Sequence, residues 1–193
     1  MKFLKVDPEK AFELSMKLAD MIIESGYKPT LLVPILRGGM VVARLLSDLL
    51  DVHKVKAIRI THYAALEVKD IVEVTEPLNT RVDGERVLLV DDVADTGDSL
   101  LVAIQHVKDM GASEVKVATL HFKPWSKVKP DYYVEETDAW VVYFWEYAET
   151  VRYLSRKLKD EGLTEKEIEH IILNEAGVPK VIIDWVRANA TDL

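Results

Sequence analysis

Two neighbouring carboxylates followed by a small polar turn are the residues whose types and spacing most clearly allow chemistry. Residues 87–90 are all aliphatic and predict a strand buried on both faces, which we expect Asp91 and Asp92 to end. A helix is predicted from Ser99 to Met110, stopped by Gly111. Backbone N–H groups of such a turn and of a helix start attract anions. The segment is therefore a predicted anion-binding site that needs no lysine.

The side chains of this turn divide into two chemical groups. Gly97 would allow a phosphate to approach closely, while Thr96 and Ser99 offer hydroxyl donors. Asp91 and Asp92 repel phosphate, and they suit ribose hydroxyls or a divalent cation instead. The alternative is that the acids only end a strand or cap a helix. Tandem acids after so apolar a strand, with Thr-Gly at this distance, favour binding.

The order of these residues resembles the phosphoribosyl pyrophosphate (PRPP) motif of the type I phosphoribosyltransferases. Four apolar residues, two acids, two mostly apolar residues and Asp-Thr-Gly follow one another here, without a Walker loop or a Gly-x-Gly-x-x-Gly fingerprint. The resemblance implies that Asp91 and Asp92 hold the ribose hydroxyls, and that Mg²⁺ is bound by Asp92 with Asp91. It implies that Asp95 is the general base toward purine N7. The implied substrate-binding residues of the motif are Asp91, Asp92, Val93, Ala94, Asp95, Thr96, Gly97, Asp98 and Ser99.

Two further segments agree with this family. Leu36, Arg37 and Gly38 resemble its pyrophosphate loop, in which members hold a strained, often cis, peptide; the match implies the Leu36–Arg37 bond. An ordinary strand-to-helix turn is the alternative there. Thr61, His62 and Tyr63 are similar to the start of the family's mobile catalytic loop, with His62 where serine is expected. A lone histidine at that place is more typical of the surface than of catalysis, and Asp98 must point away from any phosphate.

The residues that would read the base resemble those of bacterial xanthine-guanine phosphoribosyltransferases. The match implies that Lys123 donates to the oxygen at purine carbon 6, and that Trp140 lies against the ring. It places the main chain of Val141 at the purine edge and Glu146 near the base and the metal. Lys123 could instead be a plain surface lysine, and Trp140 could simply belong to the core.

The elements that must position these residues are predicted from periodicity and punctuation. Asp7 and Pro8 predict the start of a first helix that Gly26 ends. Strands alternating with helices predict an α/β fold: a mainly parallel sheet flanked by helices, with a small hood and a C-terminal helical extension. Residues 64–84 could hold a hairpin or a mobile loop, and 140–144 would complete the sheet. Apolar residues at helical spacing predict the buried face of the first helix: Phe12, Met16, Ala19, Ile22 and Ile23.

The pattern changes after residue 149, which predicts a phosphoribosyltransferase domain over 1–149 and a helical extension over 150–193. Thr164 and Glu167 have the spacing of a capping box, and Pro179 can open another helix. We expect the extension to cover the core or to build a subunit interface. A DNA-reading helix-turn-helix is disfavoured, because seven Lys plus Arg stand against eight Asp plus Glu in it.

The composition limits the remaining choices. The 193 residues include 33 acids, 25 Lys plus Arg and no cysteine, giving a net charge of −8. The lack of cysteine excludes a disulfide framework, a thiolate zinc site and a cysteine nucleophile. The negative net charge argues against nucleic acid as a partner. No apolar run reaches the ~18 residues of a membrane span, and the start lacks a signal peptide, so we expect a cytoplasmic protein.

The expected function is transfer of phosphoribosyl from PRPP to a 6-oxopurine (hypoxanthine, guanine or xanthine) with release of pyrophosphate, in purine salvage. The resemblance also implies a homodimer or homotetramer. One alternative is a phosphoribosyltransferase for adenine, uracil or orotate, which Lys123 and Trp140 disfavour. Another is a regulatory protein that keeps the PRPP site without catalysis, which the intact Asp95 disfavours.

Overall fold

The computed structural model describes residues 1–63 and 71–189. Strands and helices alternate along the first two thirds of the chain, and helices dominate the last third. The strands are β1 (Phe3–Val6), β2 (Leu31–Leu36), β3 (Ile58–Tyr63), β4 (Ile71–Glu76), β5 (Arg86–Ala94), β6 (Glu114–Phe122), β7 (Tyr132–Glu136) and β8 (Trp140–Tyr143). The α-helices are α1 (Pro8–Glu24), α2 (Gly39–Leu49), α3 (Asp98–Asp109), α4 (Tyr147–Asp160), α5 (Glu165–His170) and α6 (Lys180–Asn189).

A six-stranded sheet in the order β4-β3-β2-β5-β6-β7 forms the centre of the first compact unit, which spans Phe12–Thr137. Among the described strands of this sheet, only β4 runs antiparallel to its neighbour, so the predicted α/β fold with a mainly parallel sheet is confirmed. The central strands β2 and β5 are almost wholly buried, as continuous aliphatic runs require. Buried aliphatic residues from the strands and α3 form its core: Leu31, Val33, Ile35, Ile58, Val87, Leu89, Leu100, Ala103 and Val107.

The strand β5 is longer than predicted. Asp91 and Asp92 do not end it, because its pairing with β6 continues until Ala94 stands opposite Phe122. The neighbouring strand β6 runs equally far, so Asp91, Val93 and Ala94 each have a residue opposite them in the sheet. The functional turn consequently begins at Asp95.

Helix α1 begins as predicted but buries a different face. Asp7 accepts a hydrogen bond from the backbone N–H of Lys10 (3.0 Å), and Pro8 is the first helical residue. The prediction is confirmed for Ala19 and Ile22, which are buried, and wrong for Phe12, Met16 and Ile23, which are exposed. The helix itself carries apolar residues on most of its circumference, so the sequence offers two faces that could be buried. The buried face consists of Ala11, Leu14, Leu18, Ala19 and Ile22.

The segment at residues 140–144 does not complete the central sheet, which corrects the prediction. Trp140–Tyr143 (β8) pairs in parallel with Phe3–Val6 (β1) in a separate two-stranded sheet. The N-terminal strand was not predicted, because four residues of mixed polarity carry little periodic signal. Phe144 already belongs to a turn of 3₁₀ helix.

The second compact unit joins Met1–Ala11 to the chain from Asp138 onward. Its own core comprises β8 and the C-terminal helices, with Val151, Leu154, Ile172 and Ile183 fully buried. The capping box of Thr164 and Glu167 is present at the start of α5. The predicted boundary after residue 149 stays a prediction.

Residues 71–76 form β4, antiparallel to β3, which favours the hairpin alternative for this region. Residues 64–70 of the predicted hairpin or loop lie outside the described residues. None of the helices formed by residues 1–63 and 71–189 is both long and apolar enough to cross a bilayer.

Candidate functional site

The paired ends of β5 and β6 bring two predicted site residues together. Ala94 stands opposite Phe122 in the last pair of the ladder, so Asp95 and Lys123 are the next residues on neighbouring strands. The backbone N–H of Lys123 donates to the carbonyl oxygen of Ala94 at 2.9 Å and continues this register. An acid and a cation thus emerge side by side at the carboxyl edge of a parallel sheet, where ligands of such folds bind.

A cavity of about 210 Å³ lies at this edge, beside the start of α3. It is lined by residues 93–97 together with Asp91, Ser99, Leu100 and His62. Gly97 precedes α3 with φ +84°, and no side chain caps this helix. The Asp98 N–H donates to the Thr96 hydroxyl at 3.4 Å, and the following N–H groups of the first turn remain available to an anion.

The tandem acids occupy different surroundings. Asp91 lines the cavity, whereas the Asp92 carboxylate is 5 % exposed and stands against Gly38. Each carboxylate is fixed by the backbone N–H of the following residue. The Asp92 N–H donates to Asp91 Oδ1 at 3.1 Å, and the Val93 N–H donates to Asp92 Oδ1 at 2.8 Å. These bonds orient both carboxylates.

The donor set of these acids fits a hard cation that also binds the substrate. Within residues 1–63 and 71–189, no three acidic or imidazole side chains converge as a complete protein cage for a metal. Mg²⁺ commonly uses one or two carboxylates together with substrate oxygens and water, which is what Asp91 and Asp92 can supply.

The turn between β2 and α2 has the conformation that the family resemblance implied. The Leu36–Arg37 peptide bond is cis. Arg37 is exposed and Leu36 partly buried. Gly39 allows α2 to pack closely on β5, since a Cβ there would lie 2.2 Å from the carbonyl oxygen of Val90.

A tight turn after β6, residues 123–127, lies against the anion-binding segment. The Ser126 N–H closes it by donating to the Lys123 carbonyl at 2.9 Å, around Pro124. The Lys127 N–H donates to the Thr96 carbonyl at 2.9 Å. A Cβ at Gly97 would lie 2.7 Å from Ser126 Oγ, so the 123–127 turn can pack here only against a glycine. The expected approach of a phosphate to Gly97 stays a prediction.

Trp125 contacts both Asp95 and Lys123, the residues that follow the ends of β5 and β6. Its indole N–H donates to Asp95 Oδ1 at 3.0 Å, and the Lys123 ammonium lies 5.4 Å from the centre of its ring. Lys123 is only 5 % exposed, so it is not a plain surface lysine. Sequence reasoning missed Trp125; the available signal was its position two residues after Lys123 at a strand end.

Asp98 does not line the cavity, because its carboxylate accepts a hydrogen bond from the Lys127 ammonium at 2.5 Å. Lys127 and secondly the Thr96 hydroxyl hold the pKa of Asp98 below its ordinary value. The expected repulsion between Asp98 and a bound anion is thus reduced by a lysine that sequence reasoning did not single out.

The end of β3 also reaches the anion-binding segment. His62 Nε2 lies 2.7 Å from Ser99 Oγ, so this exposed histidine has a defined partner in the site. Thr61 pairs instead with Thr75 across the hairpin, with 2.9 Å between their hydroxyl oxygens. The side chain of Tyr63 lies outside the described structure.

The remaining predicted base-binding residues belong to the second unit. Trp140 packs edge to face on Tyr153, with ring centres 4.9 Å apart, and Val141 is buried in β8. Glu146 ends the 3₁₀ turn before α4. Their roles toward a base stay predictions.

Comparison with known proteins decides the family. The model of the phosphoribosyl transferase domain matches residues 7–152, which is most of the chain. The chain belongs to the phosphoribosyl transferase family. The resemblance seen in the motif is therefore confirmed, and it extends over the central sheet, the site and the start of α4.

Relatives and a solved structure narrow the comparison within this phosphoribosyl transferase family. A xanthine-guanine phosphoribosyltransferase of Nitratidesulfovibrio vulgaris is 30% identical over 151 residues, 75% of this chain and 87% of that protein. One from Desulfotalea psychrophila is 32% identical over 117 residues, 60% of this chain and 69% of its own. The crystal structure of a purine phosphoribosyltransferase from Pyrococcus horikoshii superimposes with TM-score 0.69 and 36% identity, covering 75% of this chain and 94% of that one.

Proposed function

We propose that this phosphoribosyl transferase moves the 5-phosphoribosyl group of PRPP onto a 6-oxopurine (hypoxanthine, guanine or xanthine), releases pyrophosphate and serves purine salvage. The observation that carries the proposal is the placement of Asp95 and Lys123 on adjacent strand ends, beside the helix start of α3. Relatives named xanthine-guanine phosphoribosyltransferase support the same base class.

The base class follows from the chemistry of the two side chains. N7 and the 6-oxygen are neighbours on one edge of an oxopurine. The Asp95 carboxylate can accept the proton of N7, and the neighbouring Lys123 ammonium can donate to the 6-oxygen. Adenine carries an amino group at position 6, which cannot accept a hydrogen bond from Lys123. Adenine would lose the hydrogen bond that a 6-oxygen accepts from Lys123, so the site would discriminate against adenine.

The proposed reaction forms the bond between purine N9 and ribose C1′ while the bond from C1′ to pyrophosphate breaks. Asp95 takes the proton from N7 as N9 attacks, and the ribose passes through an oxocarbenium-like state. The 5′-phosphate would bind to backbone N–H groups of residues 95–99 and to the hydroxyls of Thr96 and Ser99. The backbone of residues 36–38 would bind the pyrophosphate.

Asp91 and Asp92 would hold the ribose hydroxyls and a Mg²⁺ ion. When bound, such an ion neutralises the pyrophosphate that leaves. The two carboxylates would orient the ribose so that C1′ faces the base, and their hydrogen bonds to backbone N–H groups already hold them in place.

A base panel tests this proposal. The purified protein would be supplied with PRPP, Mg²⁺ and, separately, hypoxanthine, guanine, xanthine, adenine, uracil or orotate, and pyrophosphate release would be measured. Turnover with one or more of the 6-oxopurines and none with the other bases is expected. Turnover only with adenine, uracil or orotate would overturn the base class, and PRPP binding without turnover would favour the regulatory alternative.

We also propose that the chain forms a homodimer or homotetramer, as the family resemblance implies. Phe12, Met16 and Ile23 leave an exposed apolar stripe on α1 that is compatible with a subunit contact. Light scattering on the eluting protein would give the mass, and a monomer at micromolar concentration would contradict this expectation.

A further inference from the structure

The 123–127 turn is bound to three consecutive residues around Asp95. The backbone N–H of Lys123 donates to Ala94 and that of Lys127 to Thr96, both at 2.9 Å. Between them, the side chain of Trp125 donates to the Asp95 carboxylate at 3.0 Å. The turn therefore holds the backbone on both sides of Asp95 and the side chain of Asp95 itself.

Trp125 makes a second contact on another part of its ring. The Lys123 ammonium lies 5.4 Å from the ring centre, within the range of a cation–π interaction, and it is nearly buried. Burial already limits the rotamers of the Lys123 stem, and the indole adds a contact at its charged end. One rigid indole thus restrains the anion through its N–H group and the cation through its ring.

We propose that Trp125 is a positioning residue, which holds Asp95 and Lys123 at the mutual distance and orientation of N7 and the 6-oxygen of a purine. This inference rests on the proposed function and deepens it. The indole N–H occupies Oδ1 of Asp95, so Oδ2 is the oxygen that accepts the N7 proton. Over half of the Trp125 side chain remains exposed (54 %), so a base can approach the pair that it restrains.

Two substitutions separate the contributions of the N–H group and the ring. Trp125→Phe removes the hydrogen bond and keeps a ring beside Lys123, so kcat should fall about tenfold, as loss of one hydrogen bond to a charged group predicts. The KM for PRPP and the preference for the 6-oxopurine over adenine should remain. Trp125→Ala removes both contacts, so it should lower kcat further and also weaken that preference.

A double-mutant cycle with Asp95→Asn distinguishes positioning from a general structural effect. If Trp125 acts through Asp95, Trp125→Phe should lower kcat about tenfold in the wild-type background and have almost no effect on the Asp95→Asn protein. Equal losses in both backgrounds, or a full kcat for Trp125→Phe, would overturn the proposal.

Trp185→Phe is the matched control, because Trp185 on α6 is similarly exposed (56 %) and lies outside the site. It should keep full activity, and thermal unfolding would verify that all variants are folded. Wild-type protein without turnover on any base would overturn the proposed function and this inference together. An active wild type with a fully active Trp125→Phe variant would overturn only the role of Trp125.

Discussion

The carboxylate of Asp92 occupies the space in which any side chain at position 38 would begin. A Cβ added to Gly38 would lie 2.6 Å from both carboxylate oxygens. The backbone at Gly38 has φ −54°, which any residue adopts, so the conflict concerns the acid alone. Gly38, in the predicted pyrophosphate loop, therefore packs directly against the carboxylate of Asp92, which is predicted to bind the metal.

Gly38→Ala should therefore impair PRPP binding without unfolding the protein. The added methyl displaces the Asp92 carboxylate from its hydrogen bond with the Val93 N–H (2.8 Å). We expect the KM for PRPP to rise on the order of tenfold, as the loss of one hydrogen bond to a charged group predicts. Steady-state kinetics and calorimetric titration with PRPP and Mg²⁺ would measure this.

Gly39→Ala is the contrasting control. Its Cβ would meet the Val90 carbonyl oxygen at 2.2 Å, and a strand backbone cannot move aside as a side chain can. It should lower the free energy of unfolding by about 1–3 kcal/mol or more. If thermal unfolding showed equal losses for the two variants, the distinction between them would be wrong.

Asp95→Asn should lower kcat by roughly 10²–10⁴, the usual contribution of a general base. The amide nearly preserves the shape of the side chain and can still accept the Trp125 N–H, so PRPP affinity should change little. Single-turnover measurement would separate the chemical step from binding. A near-normal rate would remove Asp95 from its assigned role.

Lys123→Met should weaken base discrimination rather than PRPP binding. Methionine fills the buried space of the lysine stem but cannot donate to a 6-oxygen. We expect kcat/KM for the 6-oxopurine to fall on the order of tenfold or more, with a smaller change for adenine. Competition between the two bases would measure the ratio, and an unchanged ratio would contradict the role of Lys123.

Lys127→Gln should weaken PRPP binding through Asp98. At pH 7 the variant leaves the Asp98 carboxylate charged beside the anion-binding turn without its partner lysine. The KM for PRPP should rise about two- to fivefold, which corresponds to the free energy of an exposed ion pair. The rise should be smaller at high salt, because salt screens the charges. The double variant Lys127→Gln/Asp98→Asn should recover the affinity. Lys129→Gln, with the same charge change nearby, is the control.

His106 should make the stability depend on pH. Its Nε2 accepts the Leu78 N–H at 3.1 Å, which requires a neutral ring. Burial lowers the pKa of His106 from its ordinary 6.5, against a smaller opposing effect of Asp109. The unfolded chain therefore binds the proton more readily than the folded protein does. The contribution of His106 to the free energy of unfolding is complete above about pH 6.5, and it is lost as the pH falls through the lower pKa of the folded state.

His106→Gln should flatten this dependence, because the amide oxygen can accept from Leu78 and does not titrate. The midpoint of thermal unfolding, measured between pH 7.5 and 5, would then fall less in the variant than in the wild type. Parallel curves for the two proteins would show that other groups cause the loss.

The parts of the fold that could be predicted are those that depend on local chemistry. Asp7 and Pro8 start α1, and Thr164 and Glu167 form their capping box, because each involves residues within one helical turn. The acids, the turn and α3 are also continuous in sequence. A specific motif could therefore be read from them directly, and the cis bond at Leu36 came from that same resemblance.

The parts that could not be predicted depend on contacts between distant segments. Nothing in residues 140–143 distinguishes pairing with β7 from pairing with β1, and the face that α1 buries depends on which neighbours it meets. Trp125 bonds to Asp95, thirty positions earlier. Sequence reasoning therefore found the separate members of the site and missed the residue that connects them.

The pairing of β1 with β8 has a consequence for biosynthesis. Phe3 leaves the ribosome long before Trp140, its partner in the two-stranded sheet. At usual translation rates the interval is on the order of ten seconds, enough for a sheet within Phe12–Thr137 to assemble first. Residues 3–6 must therefore remain without their partner strand until residues 140–143 have been synthesised, so this two-stranded sheet forms late.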